Sequence, residues 1–182
     1  MTFDLKITAD AKGIQASLKK IIAEHKVAVA RALNKTAMQA RTEASRAVRD
    51  DGYNIKASAI KASFSLYRAT QYDLVVALRA TGRPIGLINY SARRTSAGVQ
   101  VKVKARAVTL RHAFIVSMGN GHRGVFVRVG GKGGRRLPIR ELYGPSIPTA
   151  LSNRVVEEAI MRKIKEKFPQ ILAHEIAFLE MK

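Results

Sequence analysis

Three basic side chains alternate with small or apolar residues along one stretch of the chain. Lys102, Lys104 and Arg106 occupy every second position within Val99–Ala107. In a β-strand such residues lie on one face, about 7 Å from one to the next. A row of cations at this spacing can follow the phosphate backbone of a nucleic acid, and no aromatic residue lies between them to stack on bases. The pattern therefore predicts contact with DNA through charge and shape, to which Arg128 from a later strand adds a further cation.

The block 74–140 around this row contains no acidic residue. It holds 14 of the 33 Lys and Arg residues, so it supplies +14 of the formal net charge of +20. A block of one sign, without interspersed acids, exceeds what solubility requires. It predicts an anionic partner, which on charge alone is a nucleic acid, an anionic membrane or an acidic protein.

Patterns typical of catalysis or metal binding are missing from the sequence. There is no cysteine, the four histidines are scattered, and His174-Glu175 lacks the second histidine of a zinc helix. The acid-free block offers no carboxylate as a general base or metal ligand beside its cations. We therefore expect no enzyme activity, no metal and no cofactor.

Hydrophobic periodicity divides the chain into helical ends and a strand-rich middle. Apolar residues recur every three or four positions from Ala11 to Arg49, which indicates one long helix or two helices separated by a kink. A second helical stripe runs from Thr149 onward. The remaining elements are a strand at Phe3–Ile7, a short helix at Ile55–Phe64, and strands at Leu66–Thr70, Leu74–Thr81, Val99–Ala107, Ala113–Met118 and Gly124–Val129.

These elements predict one α+β domain over residues 1–182. Its parts are a helical arm at 11–50, a basic strand region at 66–140 and C-terminal helices at 149–182. We expect the central strands to form an antiparallel sheet and the C-terminal helix to pack on it. The first ten residues include acids and no apolar run, and no stretch approaches 18 apolar residues. We therefore expect neither a signal peptide nor a membrane partner.

Two unusual stretches follow the last predicted strand. Residues 130–136 combine four glycines with Lys132, Arg135 and Arg136, which predicts a mobile basic loop whose spacing differs from that of a nucleotide-binding loop. Residues 137–148 read L-P-I-R-E-L-Y-G-P-S-I-P, and their three prolines exclude a regular helix.

The run R-R-L-P-I-R-E-L-Y-G-P-S-I-P, preceded by G-V-F-V-R-V, resembles the minor tail protein Z family of tailed bacteriophages, also called tail completion proteins. The N-terminal helix with A-L-N-K-T-A and the following N-I-K-A-S-A-I-K fit the same family. The resemblance extends from about Val27 to Phe168 and covers most of the chain.

The resemblance implies a structural virion protein at the head-proximal end of a phage tail, which is assembled in the host cytoplasm. Proteins of this kind are similar to neck and tail-completion proteins that form rings, commonly of six subunits, contact other tail and neck proteins, and position the end of the genome. The family brings no catalytic residues. On this reading the glycine-rich loop and the signature form an assembly loop, with candidate residues Lys132, Arg135, Arg136, Pro138, Arg140, Tyr143, Gly144 and Pro145.

Two further functions are left open by the charge pattern. The chain can be a non-sequence-specific nucleic-acid-binding protein of the cell, which would lose affinity steeply with salt. An enzyme acting on nucleic acid would show metal-dependent cleavage, and the missing carboxylates argue against it.

Overall fold

A computed structural model of the chain describes residues 2–8, 25–130 and 137–181. Residues 11–24 of the predicted helical arm and the loop residues Lys132, Arg135 and Arg136 lie outside this part of the chain. The predicted class, α+β, is confirmed.

The described helices are α1 (Lys26–Asp50), α2 (Ala57–Ala62), α3 (Ile147–Leu151) and α4 (Arg154–Glu180), with a 3₁₀ turn at Leu87–Asn89. The described strands are β1 (Thr2–Thr8), β2 (Phe64–Tyr67), β3 (Val75–Thr81), β4 (Arg93–Thr95), β5 (Gly98–Val101), β6 (Val108–Arg111), β7 (Ala113–Ser117), β8 (Arg123–Arg128) and β9 (Ile139–Glu141). They form three antiparallel sheets with the orders β1-β3-β2, β4-β5-β6 and β7-β8-β9.

The first sheet buries one face, as the alternation of β1 predicts. Phe3 and Phe64 both lie opposite Ala80 of the central strand, and all three are buried. On the opposite face Nε of Arg79 donates to Oδ1 of Asp4 at 2.7 Å, and both side chains are exposed. The sheet thus has an apolar side in the core and a charged side in solvent.

The two long helices, α1 and α4, form an antiparallel pair. The N-terminal half of α1, with Val29 and Leu33, shares a core cluster with Leu172 of the C-terminal half of α4. The C-terminal half of α1, with Ala44, shares the other cluster with Ile160. Small alanines on the buried face allow the helix axes to approach closely. Helix α4 therefore packs chiefly along α1, and its 27 residues continue through Pro169 as one helix.

Polar contacts join the α1–α4 pair near both ends. At one end Lys35 of α1 is ion-paired with Glu175 of α4, whose side chain is buried, and Nε2 of His25 lies 4.0 Å from Oε1 of Glu180. At the other end Nδ2 of Asn153 donates to Oδ2 of Asp51 at 2.8 Å. The pair is the longest continuous packed element in the described part of the chain.

Candidate functional site

The predicted strand Val99–Ala107 is wrong beyond its first residues. Strand β5 ends at Val101, and residues 102–107 bend away from the sheet. The reason is that their backbone finds other partners: Lys102 N donates to Tyr90 O at 2.9 Å, and Val103 O accepts from Asn54 N at 3.0 Å. Alternate residues of 102–107 therefore do not share one strand face. We call this segment the basic bend.

The basic bend lies against the C-terminal end of α1, where Gly52 has a φ of +89°. A Cβ atom at Gly52 would meet Ala105 N at 3.2 Å. Glycine permits both the left-handed conformation that ends the helix and this close backbone approach. Gly52 therefore both ends the helix and lets the basic bend dock.

Lys104 is held in place rather than presented to solvent like its neighbours. Its Nζ lies 2.7 Å from Oδ2 of Asp51 and 4.6 Å from the centre of the Tyr53 ring. The hydrogen bond to Asp51 raises the pKa of Lys104 above its ordinary value. Lys102 and Arg106 are exposed, so an external anion can reach their charges. The charge of Lys104 is already paired with Asp51.

A cleft of about 680 Å³ lies beside the basic bend, and no acidic residue lines it. Lys102 lines this cleft together with Arg49 from the last turn of α1 and Arg93 from β4. Neither arginine was predicted from the sequence as a contact residue. Every residue of β4 is exposed, so the stretch containing Arg93 has no apolar pattern that would indicate a strand. We call this cavity the first cleft.

The signature segment 137–148 is fixed to the core by backbone pairing on both sides. Strand β9 pairs with β8 at Phe126–Glu141, Val127–Arg140 and Arg128–Ile139. Beyond it, Leu142 N donates to Val125 O at 2.8 Å, while Leu142 O accepts from Leu87 N at 3.0 Å. Up to Ser146 the segment is not helical, as the prolines predict, and it adds an edge strand instead of forming a free loop; at Ile147 helix α3 begins, with Pro148 in its first turn.

The centre of the signature packs on a buried tyrosine. Tyr90 is fully buried, and its hydroxyl donates to Pro145 O at 2.7 Å. Burial raises the pKa of Tyr90 to about 12. A Cβ atom at Gly144 would lie 2.6 Å from Cε2 of Tyr90, so only glycine fits without displacing the ring. Gly144 and Pro145 are thus structural contacts of the fold.

A polar cluster covers the outer side of the same segment. Oε2 of Glu141 accepts from the hydroxyl of Tyr143 at 2.8 Å and lies 3.0 Å from Nε2 of His122. The bond to Glu141 raises the pKa of Tyr143. The Tyr143 ring is 56% exposed, and Pro138 and Arg140 are exposed as well. The candidate assembly residues thus divide into a half-buried pair packed on Tyr90, Gly144 and Pro145, and an exposed group that a neighbour can reach.

Arg128, the remaining candidate for DNA contact, lies away from the basic bend. Its guanidinium is 5.4 Å from the centre of the Phe114 ring, and it lines a different cleft from Lys102. The structure therefore distributes the predicted row over two separate places.

Two further properties concern the described residues alone. They contain no group of three or more His, Asp or Glu side chains placed to hold a metal ion. None of the helices in these ranges is both long enough and apolar enough to cross a membrane.

Comparison with known proteins gives one match. A family model described as prophage minor tail protein Z (GPZ) matches residues 11–180. No curated protein and no solved structure matches the chain significantly.

Proposed function

The chain belongs to the prophage minor tail protein Z family and has a structural role in a phage tail; from this premise we propose that it completes the head-proximal end of the tail. In this role it joins tail to head as one subunit of a closed homo-oligomeric ring, commonly of six copies. It belongs to the finished virion and is assembled in the host cytoplasm.

The observation that carries the proposal is the extent of the family match. Residues 11–180 include both long helices, all the strands after β1 and the whole signature. The match is therefore to the fold as a unit and not to one short motif, which favours a role for the whole chain as a building block. We propose no catalytic step.

The net charge of the chain supports contact between the proposed ring and DNA. Copies with a formal charge of +20 repel one another unless an anion or acidic neighbours compensate the charge. We assign Lys102 and Arg106 on the basic bend, and Arg128 at a separate place, all three exposed, to non-specific contacts with the end of the genome in the lumen. Lys104 has the separate role of holding the basic bend against Asp51.

The exposed part of the signature is proposed as the contact with neighbouring tail or neck proteins. Pro138, Arg140 and Tyr143 are exposed beside a backbone that is fixed by β8 and by the 3₁₀ turn. A rigid segment with exposed side chains loses little conformational freedom on binding. Lys132, Arg135 and Arg136 precede it and complete the proposed assembly loop.

The test is a deletion of the gene from the phage or prophage that encodes it. Electron microscopy of the resulting particles should show tails that are incomplete or unattached to heads, and the gene supplied in trans should restore joined particles. Joined, infectious particles without the protein would disprove the proposed role. A purified protein that stays monomeric at high concentration and does not sediment with tails would disprove the ring.

The alternative function, a non-specific nucleic-acid-binding protein, is supported by the exposed, acid-free first cleft. This function predicts that the protein binds free DNA without a tail partner. The logarithm of the binding constant should fall linearly with the logarithm of the salt concentration, with a slope of about −0.9 for each phosphate contact. Normal tails in the deletion strain, combined with strong DNA binding by the purified protein, would favour this alternative.

A further inference from the structure

A second cleft, of about 570 Å³, is lined by residues of β4, β5, β7 and β8 and by the turn between β4 and β5. Arg93 lines the first cleft and its neighbour Arg94 lines the second. Successive side chains of a strand point to opposite faces. The two clefts therefore lie on opposite sides of the β4–β5 hairpin.

Both arginines of the second cleft are held by uncharged groups. Nη2 of Arg94 donates to the carbonyl oxygen of Ile115, and the guanidinium of Arg128 lies over the Phe114 ring. Within the part of the chain that the structure describes, neither arginine forms an ion pair. A carbonyl and a ring orient a guanidinium without neutralising it, so both keep their full charge for an external anion.

The backbone around this cleft is unusual at two positions. Gly98 has a φ of +141°, and a Cβ atom there would lie 2.1 Å from Leu110 O. His112 is a non-glycine residue with a φ of +61° at the junction of β6 and β7. Both conformations are costly for ordinary residues. Together they hold the hairpin turn close to β6 and place His112 in the lining.

The lining also indicates what kind of anion fits. It contains no carboxylate, and besides the arginines it includes Ser96 and His112, whereas the hydroxyl of Thr95 already donates to Gly98 O. Phe114 is its one aromatic side chain apart from that histidine, and the guanidinium of Arg128 covers it. The fork of an arginine matches the oxygens of a phosphate, whereas the Phe114 ring is already covered by a guanidinium; the lining therefore favours a phosphate over a stacked base.

We propose that the second cleft binds a phosphate group and that its occupant is the phosphodiester backbone of duplex DNA. Arg94 and Arg128 are the two contacts, and the first cleft on the other side of the hairpin is a separate basic surface. The identity of the occupant rests on the proposed tail function, because a tail component meets the genome. The phosphate site itself does not depend on that function.

The test measures binding of the purified full-length protein to a fluorescent 20-base-pair duplex by anisotropy over a series of salt concentrations. Arg94→Gln and Arg128→Gln are each expected to bind about tenfold more weakly. In each variant the plot of log binding constant against log salt concentration should be less steep by about 0.9. The matched control is Arg83→Gln, which removes the same charge from an exposed residue of the acid-free block that lines neither cleft. If Arg83→Gln weakens binding as much as the cleft variants do, the proposal is wrong.

Competition identifies the source of the phosphate. Inorganic phosphate, compared with chloride at equal ionic strength, should displace duplex from the wild-type protein and have little effect on the Arg94→Gln, Arg128→Gln double variant. Phosphate binding by the cleft without any loss of duplex affinity in the variants would overturn the assignment to DNA. Poly-glutamate that competes as well as DNA and depends equally on both arginines would point to an acidic protein and overturn it too.

Two further measurements keep the test decisive. Thermal unfolding should show that Arg128→Gln remains folded, because its side chain is exposed; if Arg94→Gln is unfolded, Arg128→Gln alone decides the outcome. Particles that carry Arg128→Gln then separate the two proposals. Normal joining of tails with weakened DNA binding supports both of them, whereas unchanged DNA binding with normal joining removes only the phosphate site.

Discussion

Nζ of Lys104 lies 2.7 Å from Oδ2 of Asp51, and the same oxygen accepts a hydrogen bond from Nδ2 of Asn153 at 2.8 Å. One carboxylate thereby connects the end of α1, the basic bend and the residue that caps α4. The contact explains why one lysine of the predicted DNA-binding row is ion-paired within the molecule.

The first prediction concerns the stability provided by this carboxylate. Asp51→Ala removes two hydrogen bonds of a largely buried acceptor and should lower the free energy of unfolding by about 1–3 kcal/mol. Lys104→Ala should cost less, about 0.5–1 kcal/mol, because the lysine side chain is 42% exposed and water screens the pair. Urea denaturation measures both.

The control for this prediction is Arg154→Ala, which breaks an exposed pair with Glu158 and should have a smaller effect than Asp51→Ala. Equal effects for Asp51→Ala and Arg154→Ala would contradict the connecting role.

The second prediction concerns the glycine of the signature. Gly144→Ala drives a methyl group into the Tyr90 ring and should lower the free energy of unfolding by about 1–3 kcal/mol through overpacking. Gly119→Ala is the matched control, because a Cβ atom there meets nothing within 4 Å. Denaturant unfolding of the two variants, measured side by side, gives the comparison. Two variants of equal stability would mean that the signature is not packed on Tyr90 as described.

The third prediction concerns the pH dependence of stability at high pH. The pKa of Tyr90 is about 12 in the folded protein against an ordinary value of 10.0. The unfolded chain therefore loses this proton first, so the contribution is complete below pH 10 and is lost as the pH rises from about 10 towards 12. Replacing Tyr90 with Phe should remove this part of the pH dependence and also cost about 1 kcal/mol near neutral pH, because the bond to Pro145 O is lost. Unfolding free energies at pH 8 and pH 11 for the two proteins measure it. A variant with the same pH dependence as the wild type would refute it.

The helices and the strand periodicity could be predicted from the sequence where burial follows a regular spacing. The buried residues of α1 recur along one face, and β1, β3, β7 and β8 each bury alternate or consecutive apolar residues. Strands β4 and β6 were not predicted, because their residues are almost all exposed and leave no apolar alternation to detect. These strands form because their backbones pair with β5. The types of their side chains do not indicate this pairing.

The candidate sites show the same limit. The alternation of Val99–Ala107 indicates which residues prefer water, but it does not reveal that the backbone leaves the sheet after Val101 for Tyr90 and Asn54. Arg49, Arg93 and Arg94 were not selected, because a cleft is formed by segments far apart in the chain. The signature was found correctly, while the division between its residues packed on Tyr90 and its exposed residues required the positions of Tyr90 and Glu141.

The fourth prediction concerns the proposed tail contact. Tyr143→Ala should reduce the yield of joined particles at least tenfold in a complementation assay, as expected for an exposed aromatic residue at a protein interface. The change should have little effect on the thermal stability of the purified protein. Tyr72→Ala provides the control, because Tyr72 is 92% exposed in the turn between β2 and β3 and lies outside the signature. Equal yields from both variants would place the tail contact elsewhere.

The antiparallel pair of α1 and α4 has a mechanical consequence. Helix α4 alone is about 40 Å long at 1.5 Å per residue. Because polar contacts join the helices at both ends, at Glu175 and Glu180 on one side and at Asp51 on the other, sliding one helix along the other requires breaking all of them at once. Strand β3 packs against both halves of α1, with Val76 beside Leu33 and Leu78 in the cluster of Ala44, so a register shift between the helices would also displace the first sheet.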